Sequence, residues 1–486
     1  MHVSREGART MYGPFDARHY ALPDNRVSFE TDDAALERLY RKAESACGVN
    51  RCVLNGKPFL REGGGYGNLW LETQPMGGAM YAARDPETGL NNILAFMQYQ
   101  RRDGRMPGMI FQTDGQGLCA AYDWFQGFCF PGPALDMYWM IGEDREYLSM
   151  LFHALKDFDD YLWRFRSGEN GCLYRWCCWD TGEDNLSLLL ENGGRDGCFG
   201  GEFPPECTGR SMPWTSMEMM GWSCACRDTM AAILDILGMG EAQTWRKAAG
   251  DVRSVLERNL WDEARGACFE KDSNGRRLDC LSHVNLRCMY YGVFSQHMAE
   301  TFVRRHLMNP EEFCTPVPLP SIAVNDPWFR DIPENNWSGP SQGLTWQRCI
   351  RALQNYSFHR ELAGLGMAWL NHLKTAEKLT QQYSPVSGRP GTGPDLYGPT
   401  CLSALEFIAL LYGVHIEGRY MACCSAPDGS TSVFSQKLGE DLWQAVRSRE
   451  GLTVLRNQKV LVQVPHGVRL VMDRTGRELE RMHVMR

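Results

Sequence analysis

No stretch of the 486 residues approaches about eighteen consecutive apolar side chains, the length that a membrane-spanning helix needs. The opening residues, Met1-His2-Val3-Ser4-Arg5-Glu6, lack the apolar core of a secretory signal, so a cytoplasmic location is expected. Lys/Arg-rich runs are missing and the net charge is −8, which argues against nucleic acid or an anionic membrane surface as partner. There is no G-x-S-x-G elbow, no phosphate-binding P-loop and no H-E-x-x-H. The eleven histidines are scattered; His283, His297, His359 and His372 fall in helical patterns and read as core or surface residues rather than catalysts. Cysteine is abundant at nineteen, yet Cys177-Cys178, Cys224/Cys226 and Cys423-Cys424 do not form C-x-x-C pairs with zinc-like spacing. Reduced, mostly buried thiols are expected, with neither metal nor cofactor.

What is present in excess is tryptophan, fifteen in all. Trp70, Trp179, Trp214, Trp328 and Trp337 sit in segments rich in Gly, Pro and Asn, where a large aromatic usually lines a cleft. Apolar residues make up 43% of the chain and charged ones 23%, the balance of a soluble globular protein long enough for one large domain and a small one.

Helical periodicity recurs over residues 32–53, 88–99, 133–141, 146–165, 216–237, 241–260, 283–294, 295–308, 341–356, 359–378 and 399–412. Short turns (Gly238-Met239-Gly240, Ser357-Phe358) alternate with long loops carrying Gly, Pro, Trp and acids. That alternation predicts a mainly α fold: an (α/α)6 toroid of helical hairpins, with short turns at one end and site-building loops at the other. Beyond residue 416 the pattern changes to short β runs, such as Val460-Leu461-Val462-Gln463-Val464, separated by Pro/Asp/Gly turns. Three regions are expected: an N-terminal extension (1–30) wrapping the surface, the helical domain (31–415) and a small β appendage (416–486).

The loops concentrate acids beside aromatics, which is what a sugar-cleaving site needs. An aromatic face stacks on the pyranose ring and carboxyl groups move protons at the glycosidic bond. Candidate contacts are Trp70 and Glu72 in the first such loop, and Asp123 and Trp124 in the second. Trp179, Asp180, Glu183 and Asp184 follow in the third. Glu218 lies in the first turn of a helix that Ser216 is placed to cap. Glu334, Asn336 and Trp337 precede the helix carrying Gln342; Gln381, Tyr383, Asp395 and Tyr397 lie on the last long loop.

Taken together, these motifs resemble the six-hairpin glycosidases, specifically glycoside hydrolase family 63 and its bacterial, mannosylglycerate hydrolase-like relatives, over roughly residues 30–415. The resemblance rests on Trp179-Asp180-Thr181-Gly182-Glu183-Asp184-Asn185 and on Trp337-Ser338-Gly339-Pro340. It implies that Asp184 is the general acid. The family's general-base loop corresponds to Gln381-Gln382-Tyr383-Ser384-Pro385-Val386-Ser387-Gly388, where the expected glutamate is Gln381. A neutral amide cannot deprotonate water, so Asp395, Glu334 and Glu72 are the candidate bases. The leading expectation is an exo-acting, inverting glycosidase on a small oligosaccharide or glycoside. Gln381 keeps open a non-catalytic carbohydrate-binding protein. A sugar isomerase or epimerase on the same toroid is the third reading, although paired histidines would then be expected at the barrel mouth.

Overall fold

The computed structural model describes residues 3–4, 13–113, 117–168, 170–197 and 212–485. Thirteen α-helices lie among these residues. In chain order they are α1 (Ala34–Asn50), α2 (Gln74–Tyr81), α3 (Pro86–Gln98), α4 (Pro131–Met140), α5 (Arg145–Phe165), α6 (Ser187–Glu191) and α7 (Met217–Leu237). Then follow α8 (Ala242–Leu260), α9 (Val284–Tyr290), α10 (Gln296–Phe302), α11 (Gly343–Gln354), α12 (His359–Leu373) and α13 (Gly398–Tyr412).

Caps set several of the starts. Asp33 accepts the N–H groups of Ala35 and Leu36 at 2.9 and 3.1 Å at the head of α1. Ser216 accepts that of Met219 at 3.3 Å at the head of α7, as its position in the sequence suggests. Gly238, with φ +72°, ends α7 in the left-handed conformation that favours glycine.

Burial divides the helices into two layers. Helix α13 is buried almost throughout, whereas α5 buries one stripe, including Leu148, Leu151, Leu155, Phe158 and Leu162. Helices α2, α4, α7, α9, α11 and α13 each pack on the next, and α13 returns to α2, closing an inner ring. Around it, α1 lies on α13, α3 on α2 and α4, α5 on α4 and α7, α8 on α7, and α12 on α11 and α13. Helices α1, α3, α5, α8 and α12 of this layer precede α2, α4, α7, α9 and α13 in the chain, and the segments entering the inner helices gather at one end, so the inner six run in a common direction. The toroid expected from the sequence is therefore present.

Helix α2 has no counterpart in the sequence reading. It is eight residues long, contains Gly77-Gly78 and is buried on nearly every side, so it lacks the amphipathic period by which helices are recognised.

The β region comprises two antiparallel sheets. One has four strands in the order Val414–Glu417, Tyr420–Cys423, Val468–Met472, Glu478–His483. The other has five, in the order Lys459–Val464, Leu452–Arg456, Asp441–Arg447, Ser432–Leu438, Arg26–Thr31. The last strand corrects the picture of a wrapping N-terminal extension: Arg26–Thr31 pairs with Ser432–Leu438, with Phe29 opposite Phe434. A six-residue edge strand carries too short a pattern to announce so distant a partner. Of the rest of the expected extension, residues 1–2 and 5–12 lie outside the described residues.

No helix among the described residues is long and apolar enough to cross a membrane. The described cysteines are free thiols, nearly all of them buried.

Phe434 links the five-stranded sheet to the end of α13. It is 1% exposed, packs 6.1 Å from Phe29, and faces Gly413 so closely that a Cβ there would lie 2.3 Å from its ring. Phe434→Ala is expected to cost about 3–5 kcal/mol, measured as a lower urea midpoint at unchanged helical content.

Candidate active site

The segments that enter the inner helices meet at one end of the ring. Glu62, Tyr66, Trp70 and Glu72 precede α2; Trp124 and Gln126 precede α4. Trp179 and Asp184 lie between α5 and α7, Trp337 precedes α11, and Gln381 and Tyr397 precede α13. These eleven side chains enclose a cavity of 160 Å³.

The acid-rich loop is built by dividing its carboxylates. Asp180 is buried and takes the Arg166 guanidinium at 2.6 Å together with the backbone N–H of Trp176 at 2.8 Å. Glu183 is equally buried and takes Arg175 at 2.5 Å and the Thr181 hydroxyl at 3.0 Å, and Arg175 also reaches Glu270 at 2.5 Å. The guanidinium of Arg175 overcomes burial and holds Glu183 well below the usual carboxylate range. Asp184 alone of the three faces the cavity.

Asp184 is held by amides. Gln126 donates to one carboxylate oxygen at 3.3 Å and Asn335 to the other at 3.2 Å. Asn335 in turn accepts from Gln381 at 2.9 Å, and Gln381 accepts from the Tyr66 hydroxyl at 2.9 Å. The loop is zipped to the segment before α11: Asn185 donates to the Asn335 carbonyl and Asn336 to the Asn185 carbonyl, both at 2.8 Å.

Two more carboxyls share the cavity. Glu72 takes Arg348 at 3.1 Å and lies against Gly182; a Cβ on Gly182, whose φ is +69°, would fall 2.3 Å from its Oε2. Glu62 accepts the Tyr397 hydroxyl at 2.7 Å. Burial pushes all three up. Glu72 rises to about 8, with Arg348 and Arg287 offsetting only part of the desolvation. Glu62 is pushed well above the usual range by burial and by the nearby Glu72 and Asp184. Asp184 is raised by burial against the opposing effect of its amide donors.

The remaining wall is aromatic. Trp124 and Trp179 meet edge to face at 4.9 Å, and Tyr66 meets Tyr397 at 6.2 Å. Trp337 is backed by the His283 ring at 5.1 Å and by Arg287 at 4.7 Å. Burial holds His283 down to about 3, so its ring is uncharged. The buried indole N–H of Trp70 has no hydrogen-bond partner among the described residues.

The structure brings together Trp70, Glu72, Trp124, Trp179, Asp184, Trp337, Gln381 and Tyr397 from the sequence candidates. It places the others elsewhere. Asp395 takes Lys42 at 2.9 Å and the N–H groups of Leu379 and Leu396, a loop-bracing role away from the cavity. Glu334 does not line the cavity, and its backbone carbonyl accepts from Gln382. Asp180 is taken up by Arg166, and Glu218 by Arg287 and Tyr291. Asn336 and Gln342 bind the loop backbone, Gln342 donating to the Asn336 carbonyl at 2.8 Å. The Tyr383 hydroxyl donates to the Lys378 carbonyl, and Asp123 is buried outside the lining.

Glu62, Tyr66 and Gln126 join the cavity without having been singled out as site residues. Glu62 does stand before Gly63-Gly64-Gly65, all at positive φ. An acid before a glycine run, just ahead of an aromatic loop, is the signal that could have found it.

A protonated buried carboxyl leaves a pH signature on stability. Glu62 has an unfolded value of about 4.3 and a higher folded one. Below about pH 4 it is protonated in both states. As pH rises the unfolded chain releases the proton first, and the folded state loses stability until the folded value is passed. Glu62→Gln is therefore expected to melt higher than wild type at about pH 8, with the gain vanishing at about pH 4. An equal shift at both pH values would exclude this.

A family model for the mannosylglycerate hydrolase MGH1-like glycoside hydrolase domain matches residues 78–397. Among solved structures, the chain is similar to the GH63 mannosylglycerate hydrolase from Thermus thermophilus in complex with glucose. That match has a TM-score of 0.62 at 17% identity, covering 76% of this chain and 99% of that one. A sialidase matches with TM-score 0.69 at 14% identity, over 93% of this chain and 42% of the sialidase. Neutral trehalase Nth1 from Saccharomyces cerevisiae matches with TM-score 0.53 at 13% identity, covering 75% and 79%. At such identities the structural likeness speaks for the fold. No curated protein sequence matches the chain.

Proposed function

The chain belongs to the mannosylglycerate hydrolase MGH1-like glycoside hydrolase family, and on that premise we propose that it removes a single neutral sugar from the end of a small oligosaccharide or glycoside, inverting the anomeric carbon. The observation that carries this reading is the 160 Å³ cavity in which three carboxyls, Glu62, Glu72 and Asp184, face four tryptophans. Its size suits one pyranose ring rather than a chain passing through, which supports exo action. Among its described lining residues none is cationic. A carboxylated or phosphorylated ring would bring further negative charge against three acids, so the ring is uncharged.

Asp184 is the general acid: raised by burial, it delivers its proton to the glycosidic oxygen as the bond breaks. Glu72 is the general base. It is the cavity carboxyl in contact with a guanidinium, and Arg348 and Arg287 both favour its charged form. It takes a proton from the water that attacks the anomeric carbon on the opposite face, through an oxocarbenium-like transition state. Glu62, protonated, and the Trp70 indole N–H are donors for ring hydroxyls. Gln381 takes no proton; through Asn335 it fixes the carboxyl of Asp184.

Asp184→Asn and Glu72→Gln are each expected to lower kcat/KM on a natural disaccharide by about 10²–10⁴. Azide is expected to restore turnover of an activated aryl glycoside in Glu72→Gln alone. NMR of the first product formed reads the anomer. Retention of configuration would refute inversion, and a fully active Glu72→Gln would remove Glu72 from the base role.

A further inference from the structure

The far end of the inner ring holds a second and larger cavity, of 790 Å³. It lies between the C-terminal turns of α2, α4, α9 and α11 and the strands Val414–Glu417 and Val468–Met472. It shares no lining residue with the front cavity.

The charges along its wall are paired, Arg84 with Glu44 behind the wall and the others across it. Asp136 is paired with Arg351. His415 lies between Glu406 at 3.0 Å and Glu417 at 3.4 Å, and Glu417 also takes Arg469 at 2.5 Å. Each sign is answered by the other, so the wall has little net pull on an ion.

Two neutral wall groups are not engaged; of the charged ones, Arg469 Nη1 lacks a hydrogen bond but lies 3.7 Å from Glu480. The Tyr290 hydroxyl and the Gln347 amide oxygen have no hydrogen-bond partner among the described residues, although Tyr290 is 5% and Gln347 1% exposed. Buried polar atoms are nearly always partnered, so a pair of them on one cavity wall marks a place for a polar ligand. Beside them, Met76, Met80, Ile350 and Phe434 provide apolar surface. A purely apolar ligand would leave both groups unmet, and a charged one would find no unpaired counter-charge.

We propose that this rear cavity is a second binding site, for a neutral polyhydroxylated molecule of mono- or disaccharide size. The Tyr290 hydroxyl and the Gln347 amide oxygen bind its hydroxyls, and its C–H face lies on the methionine, isoleucine and phenylalanine wall. The volume falls within the range of about 300–1,000 Å³ typical of small-molecule sites.

The test is titration calorimetry of D-glucose, D-mannose and myo-inositol into the full chain and three variants, each checked for folding by thermal melting. Trp179→Ala alters the front cavity; Tyr290→Phe removes one hydroxyl at the rear; Ala79→Phe fills the rear space. At least one of these compounds is expected to bind Trp179→Ala with the affinity of a component seen in wild type. That component should weaken about tenfold in Tyr290→Phe and disappear in Ala79→Phe. Absence of any binding to Trp179→Ala, or binding that Tyr290→Phe and Ala79→Phe leave intact, would overturn the proposal. Hydrolysis does not enter the readout, so the outcome stands apart from the catalytic assignment.

Discussion

The structure depends on one geometric constraint: six inner helices run in the same direction and close on themselves through the contact of α13 with α2. With the direction common to all six, every segment entering an inner helix emerges at the same end. The cavity then gathers residues as far apart in sequence as Glu62 and Tyr397, which meet in a 2.7 Å hydrogen bond. The helix N-termini that ring this space favour negative charge there. Burial works in the opposite direction on Glu62, Glu72 and Asp184, and burial prevails. The opposite ends of the same helices define the rear cavity, which the β region covers.

Buried arginines decide which acids are structural. Arg166, Arg175 and Arg287 engage Asp180, Glu183 and Glu218 in buried pairs that brace the segments around the cavity. Removing one partner of such a pair leaves an uncompensated charge in the interior, a heavier penalty than the pair's net contribution. The acids left without this treatment, or with only the single contact of Arg348, are the ones that reach the cavity. A glycosidase needs both classes: ionised acids to build the walls, and raised ones to exchange protons.

Much of this was legible in residue patterns, and the failures have physical causes. Outer helices such as α5 show their stripe because one face meets solvent; α2 has no such face and went unread. Of the five tryptophans in Gly- and Pro-rich loops, Trp70, Trp179 and Trp337 line the front cavity, whereas Trp214 and Trp328 join an apolar cluster with Leu186, Leu189 and Ile322. Asp395 and Glu334 looked equivalent to Glu72 because all three sit on loops. Only the lysine beside Asp395 and the placement of Glu334 outside the lining separate them.

The sequence by itself determined the helical periodicity and its caps, the alternation of short turns with elaborate loops, and the acid-aromatic chemistry of those loops. These are local properties, set by neighbours within a few residues. Only the tertiary structure decided that Arg166 and Arg175 take up Asp180 and Glu183, that Glu62 joins Glu72 in the cavity, and that Arg26–Thr31 completes a sheet with residues some four hundred positions away. Those outcomes turn on which buried charge finds which partner and which edge finds which strand. Ring closure settles both, and local spacing carries no record of it.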